Sequence, residues 1–187
     1  MRIISGTFKG KKILQPIDSK TRPLKDLTKE SIFNILLHSN KFKIEIKNST
    51  VLDLFSGVGS FGLECLSRGA KHVTFFENYE HVLPILKKNL TNLNLNKKYQ
   101  ILERDIFNEN HFMKISNKFD LIFLDPPFKL KNLTKIIDLI YDKKILDSKG
   151  IIIIHRHKSE KDQFSKNFEI LDEKKYGISK ILFAKLN

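Results

Sequence analysis

Among 187 residues there is one cysteine, Cys65, and no tryptophan. A lone cysteine cannot pair within the chain, which excludes an internal disulfide scaffold and fits a reducing, cytoplasmic setting. Long apolar runs are missing too. Ile151 to Ile154 is typical, far short of the ~18 residues that span a bilayer. No apolar stretch with a cleavage site follows Arg2, so neither a secretory leader nor a membrane anchor is expected. The six histidines and single cysteine show no ligand spacing, so no metal site is expected. No Ser-His-Asp or Cys-His arrangement stands out in the linear sequence. Acidic residues are in deficit, 21 against 34 Lys plus Arg, for a formal charge of +13.

Such an excess points to a polyanionic partner, most simply nucleic acid. The chain has only five arginines and is rich in Lys, Ile and Asn, the look of an AT-rich coding sequence that inflates lysine everywhere. Distribution is therefore more informative than the total. Residues 1–30 hold eight basic and three acidic residues, a net +5 that leaves +8 for the other 157. The N-terminus thus carries about three times the charge density of the rest, which predicts a localised basic surface. Hydrophobic residues at 41% and charged residues at 29% describe a folded chain of one domain, or one with a small appendage.

Two short apolar runs around Gly6 and Gly10 predict a hairpin or irregular strand pair. A loop with Pro16 and Pro23 follows, then an amphipathic helix over 28–39. From residue 50 strand and helix alternate. Strands are expected at 50–55, 72–76, 99–103, 119–124 and 151–154, with a terminal pair around Gly177. Helices are expected at 60–68, 79–93 and 131–143, and a short helical or irregular piece at 107–116. FDLIFL, nearly apolar throughout, reads as a strand buried on both faces. The pattern predicts a doubly wound α/β sandwich, in which ligands bind at the carboxyl ends of the strands. The polar residues there are Asp53, Glu77, Asp105 and Asp125.

VLDLFSGVGSFG, residues 51–62, places Gly57, Gly59 and Gly62 in G-x-G-x-x-G spacing between a strand and a helix. Glu77 lies twenty residues beyond Gly57, at the next strand end, where a carboxylate accepts ribose hydroxyls. A dinucleotide and S-adenosylmethionine share this geometry. Asp53 would repel a pyrophosphate but suits an ammonium group and a sulfonium, which favours S-adenosylmethionine. DLIFLDPPFK, residues 120–129, ends a strand with Asp125-Pro126-Pro127-Phe128. Two prolines fix φ and offer no N–H, so their carbonyls point rigidly at a ligand. The Asp125 carboxylate and the Pro126 carbonyl can accept both N–H bonds of an exocyclic base amine, and Phe128 can stack on the base.

Together these motifs resemble an amino-group methyltransferase of the S-adenosylmethionine-dependent superfamily, and more closely the RsmD family. Those enzymes methylate the exocyclic amine of one guanine in bacterial 16S ribosomal RNA. MRIISGTFKGKKI at 1–13, TRPLKDLTKESIFNIL at 21–36, VLDLFSGVGSFGLECLSRGA at 51–70 and LDPPF at 124–128 resemble successive family signatures. The resemblance implies a mostly parallel seven-stranded Rossmann-like sheet with an antiparallel C-terminal strand. Residues 1–40 would be a basic RNA-binding extension and 41–187 the methyltransferase domain. Asp53, Gly57 and Gly59 would line the methionine end of the cofactor, with Phe55 also in contact. Glu77 would hold the ribose, Asp105 would face the adenine amine and Ile106 would pack on its ring. Asp125, Pro126, Pro127 and Phe128 would hold the target guanine. Lys9, Lys11, Lys12, Arg22 and Lys25 would grip RNA.

The implied partner is 16S RNA or an assembling small ribosomal subunit, met by a cytoplasmic monomer. The chain departs from the family pattern in IIIIHRH, where His155 stands at a position that tends to carry an acid. The ordinary reading of His155 is a strand-end residue without consequence, and of Cys65 a small core residue. Two other readings remain: a DNA adenine amino-methyltransferase, and an RNA-binding assembly factor without catalysis.

Overall fold

The computed structural model describes residues 1–16, 24–95, 97–108, 112, 115 and 117–187. In chain order the elements are α1 (Asp26–His38), β1 (Thr50–Leu54), α2 (Ser60–Ser67), β2 (His72–Phe76), α3 (Leu83–Thr91), β3 (Tyr99–Leu102), β4 (Phe119–Leu124), α4 (Leu133–Asp142), β5 (Leu146–His157), β6 (Phe168–Tyr176) and β7 (Ser179–Leu186). The strands form one sheet of seven in the order β3-β2-β1-β4-β5-β7-β6. β1 to β5 are parallel, and β7 runs antiparallel between β5 and β6. The expected doubly wound sandwich is what forms. Strand order reverses between β1 and β4, so their carboxyl ends border the crevice where such sheets bind ligands.

The apolar strands divide their side chains between two faces, as period 2 requires. Val51, Phe75, Leu121, Phe123 and Ile153 pack in one core with α1, α2 and α3. Leu52, Phe76, Ile122, Leu124 and Ile154 pack in a second core with α4. On the first side a ladder of rings runs from α1 through α2 to β4. Phe33 and Phe61 have centroids 5.2 Å apart, and Phe61 and Phe123 are at 4.0 Å. Cys65 is fully buried there, as its size suggested. No helix among the described residues is long and apolar enough to cross a membrane.

The N-terminal hairpin reduces to a single antiparallel bridge between Arg2 and Lys12. Around it Ile3 N–H reaches the Lys11 carbonyl (2.9 Å) and Ile13 N–H the Met1 carbonyl (3.1 Å), an irregular strand pair whose backbone is also bonded to α2. The Glu64 carboxylate accepts the N–H groups of Ile4 (2.8 Å) and Ser5 (2.9 Å). Ser67 accepts Thr7 N–H at its carbonyl and Phe8 N–H at its hydroxyl. Glu64 also meets the fully buried Lys29, whose Nζ lies 3.7 Å away and donates to the Arg2 carbonyl and Ser60 Oγ. Burial lowers the Lys29 pKa, and the Glu64 and Asp26 carboxylates oppose that shift. One buried ion pair therefore joins the N-terminal segment, α1 and the helix that follows the glycine loop. β5 begins at Leu146, five residues earlier than its apolar run suggested. Most of the helical or irregular piece read over 107–116 lies outside the described residues.

Candidate active site

The glycine loop leaves β1 through two left-handed positions in quick succession. Phe55, at φ 58°, is a half-buried aromatic in a conformation that non-glycine residues seldom adopt, and Gly57 follows at φ 55°. Such strain persists where the surroundings over-determine it. The Phe55 ring lies 6.5 Å from that of Phe107, beyond β3. Gly59 precedes α2 at φ 82°, a second position that favours glycine. Gly62 serves packing: a Cβ there would sit 2.3 Å from the Phe75 ring. The three motif glycines thus set the turn, at Gly57 and Gly59, and the helix–sheet contact, at Gly62.

Asp53 and Glu77 brace this loop. Asp53 is buried at 1% exposure, and its Oδ2 accepts Gly62 N–H at 2.9 Å. Burial pushes its carboxyl well above the ordinary carboxylate range; the Gly62 bond opposes that shift, and the Asp125 and Glu77 charges add to it. Glu77 Oε2 accepts Gly57 N–H at 2.7 Å, while Oε1 accepts the N–H groups of Asn78 and Tyr79. Three backbone donors therefore fix the carboxylate beside the loop. At the end of β3, Asp105 is exposed and its Oδ1 accepts Phe107 N–H at 2.9 Å, while Ile106 is buried in the second core. Asp53, Phe55, Gly57, Gly59, Glu77, Asp105 and Ile106 all fall at the carboxyl ends of adjacent strands or in the loops after them. An acid with raised proton affinity beside a glycine turn, next to a second fixed carboxylate, fits the ammonium and ribose of S-adenosylmethionine.

Asp125 follows β4, and its N–H reaches the Leu54 carbonyl of β1 at 3.3 Å. The DPPF segment is thus tied directly to the strand that bears the glycine loop. Pro126 is buried, Pro127 exposed and Phe128 half-buried. Two neighbours on β5 face this segment: His155, read from sequence as a strand-end residue without consequence, and Arg156, which that reading did not single out. His155 Nδ1 lies 2.8 Å from Asp125 Oδ1, and its Nε2 lies 2.8 Å from Ser179 Oγ on β7. A Ser-His-Asp line therefore exists, although none stood out in sequence. Its members come from β7, β5 and the end of β4, with intervals of 24 and 30 residues between contacts.

Arg156 is the second. Fully buried, it forks onto Asp162 with Nε to Oδ2 at 3.1 Å and Nη2 to Oδ1 at 2.9 Å. Its remaining donors reach the carbonyls of Pro127 (3.3 Å), Phe128 (3.3 Å) and Leu130 (2.9 Å). Prolines cannot hold such a loop by donating N–H, so this guanidinium does it from behind. An arginine between two histidines directly after the apolar run Ile151–Ile154 was the available signal.

The basic candidates do not gather at one point. Lys9, Lys11, Lys12 and Lys25 are all exposed. The turn bearing Lys9 packs at the Ser67 end of α2, about 10 Å along the helix from its start at the glycine loop. Lys11 Nζ lies 5.5 Å above the Phe8 ring. Lys12, paired with Arg2, and Lys25, just before α1, lie toward the glycine-loop end, where buried Asn89 bonds both Leu14 and the Val58 carbonyl. Arg22 lies outside the described residues.

A family model described as conserved hypothetical protein 95 matches residues 1–185. Ribosomal RNA small subunit methyltransferase D of Haemophilus influenzae is 34% identical over 95% of this chain and 90% of its own length. The Escherichia coli protein of the same name is 31% identical over 82% of this chain and 73% of its own. Among solved structures, the protein yhhF of Escherichia coli superposes with a TM-score of 0.82 at 26% identity, covering 100% of this chain and 97% of that one. A Haemophilus influenzae methylase structure gives 0.76 at 32% identity, covering 98% and 97%. The chain belongs to the RsmD family of S-adenosylmethionine-dependent methyltransferases.

Proposed function

We propose that this protein transfers the methyl group of S-adenosylmethionine to the exocyclic amino group of a guanine in 16S ribosomal RNA. The observation that carries this reading is Asp125, whose backbone N–H bonds β1 and whose carboxylate thereby stands one strand from the glycine loop. The cofactor supplies a methyl group on a positively charged sulfur. Asp53 faces its ammonium end, Glu77 its ribose and Asp105 its adenine, with Phe55 and Ile106 as apolar walls. The Asp125 carboxylate and the Pro126 carbonyl accept the two amine protons, which orients the nitrogen lone pair, and Phe128 stacks on the base. Transfer breaks the carbon–sulfur bond, releasing the neutral thioether S-adenosylhomocysteine, and forms the carbon–nitrogen bond, and the amine gives up one proton to solvent. Catalysis by this chain is then positioning and electrostatics. Residues 1–40 act as the RNA-binding extension of a cytoplasmic monomer, with Lys9, Lys11, Lys12, Arg22 and Lys25 on phosphates.

The test offers labelled cofactor with free 16S RNA, with small subunits lacking the modification, and with duplex DNA. Label in a methylated guanosine from either ribosomal sample is expected. Label in DNA adenine would overturn the substrate and keep the cofactor. Cofactor binding with no transfer to any substrate would favour an assembly factor.

Asp53 makes cofactor binding pH-dependent. The folded apoprotein holds the Asp53 proton more tightly than the unfolded chain does. Between the ordinary aspartate value, ~3.9, and the raised one, folding therefore takes up protons and stability falls as pH rises. A cofactor ammonium beside the carboxyl favours the anion, so binding expels the proton. Affinity should rise with pH through that window, by up to about tenfold per pH unit. Calorimetric titration across pH measures it, and Asp53→Asn should flatten the slope. A flat wild-type profile would contradict this role.

A further inference from the structure

We propose that His155, locked in one tautomer by Ser179, is a positioning residue that fixes the Asp125 carboxylate and leaves one of its oxygens for an incoming amine. The inference rests on the assignment of Asp125 to the target amine. Its own basis is a line of three side chains, each joined to the next at 2.8 Å.

The hydrogen count follows from the chemistry of the groups. An ionised carboxylate only accepts, so the imidazole must carry its hydrogen on Nδ1, toward Asp125 Oδ1. In the neutral ring Nε2 is then an acceptor, and Ser179 donates its hydroxyl hydrogen to it. Ser179 lies on β7 and His155 on β5, paired strands of the same sheet, so the line is backed by the sheet's own hydrogen bonding. The His155 side chain is only 11% exposed and that of Asp125 19%. Little water competes for either bond.

With Oδ1 filled, rotation of the carboxylate about its last bond would forfeit a charge-assisted hydrogen bond. Oδ2 is left as the acceptor for the substrate. A site that presents a held anionic acceptor selects a group with N–H to donate and rejects a carbonyl oxygen in the same place. The same histidine touches the other half of the motif. Its ring stands edge-on to Phe128 at 5.8 Å between centroids, and that of His157 stands at 5.2 Å. One side chain thereby sets both the acceptor of the amine and one border of the ring proposed to stack on the base. An acid at this position could do neither without repelling Asp125.

His155→Ala should lower kcat by about tenfold to a hundredfold, the loss of one hydrogen bond to a charged group, with the KM for cofactor unchanged. His155→Asn should recover most of that rate, because its amide nitrogen can take the place of Nδ1 as donor to Asp125. Ser179→Ala should fall between the wild type and His155→Ala. Equal loss in the alanine and asparagine variants would reduce His155 to packing, and wild-type rates in all three would remove it from the reaction. A second readout needs no turnover and so separates this inference from the choice of substrate. In ¹⁵N-histidine spectra of the full chain, His155 should show a protonated Nδ1 and a bare Nε2. Ser179→Ala should shift it toward a mixture of tautomers. A protonated Nε2 in the wild type would overturn the proposal, whichever nucleic acid is methylated.

Discussion

Asp125→Ala is expected to slow methyl transfer at least about a hundredfold while leaving cofactor binding intact. Removing one oriented partner of a transition state typically costs about 2.7–4 kcal/mol, and this chain has few others to offer. The Pro126 carbonyl remains, but one acceptor no longer fixes both amine protons. The cofactor side stays in place because its carboxylates are held elsewhere: Asp53 by Gly62 N–H and Glu77 by three backbone donors. Removing Asp125 even lifts a charge that opposes ionisation of Asp53, so affinity should hold or rise slightly. Single-turnover transfer and a binding titration on the same variant separate the two effects. Transfer at the wild-type rate would exclude Asp125 from the chemistry. Lost cofactor affinity would instead assign it to the cofactor side.

The architecture was legible because its determinants are local. Runs such as FDLIFL and IIII are buried on both faces, and that alone announces a parallel sheet. The glycine loop and DPPF are contiguous motifs at strand ends, so their position followed once the strands were found. The polar partners were not legible, because each contact spans many residues. Lys29 reaches Glu64 across 35 positions of chain, each a charge within a different helix. A lysine on the same helical stripe as Ile32, Phe33 and Leu36, and an acid inside a helix buried all round, were the available hints. The N-terminal runs pair irregularly with each other, as expected, but their bonds to Glu64 and Ser67 of α2 were not legible. Local pattern cannot show where a backbone's partners will be.

Arg156 joins stability to function most directly. Arg156→Met keeps much of the side-chain volume but leaves Asp162 with only Lys180, 3.9 Å away, and takes the guanidinium from the carbonyls of Pro127, Phe128 and Leu130. Breaking a buried pair from one side costs about 3–5 kcal/mol, which for a chain of this size lowers Tm by about 10 °C. Arg156→Lys should lie between, since one ammonium cannot both fork onto Asp162 and span the loop carbonyls. Adding Asp162→Leu to Arg156→Met removes the carboxylate left with only the longer Lys180 contact, so Tm should recover part of the way. Activity should not recover with it, because Pro127 and Phe128 still lack the group that holds their backbone. Thermal melts and transfer rates on the single and double variants distinguish these outcomes. If activity returns in step with Tm, Arg156 only stabilises the fold. If Tm returns and activity does not, the guanidinium sets the shape of the catalytic loop, a task that two consecutive prolines leave to a neighbouring strand.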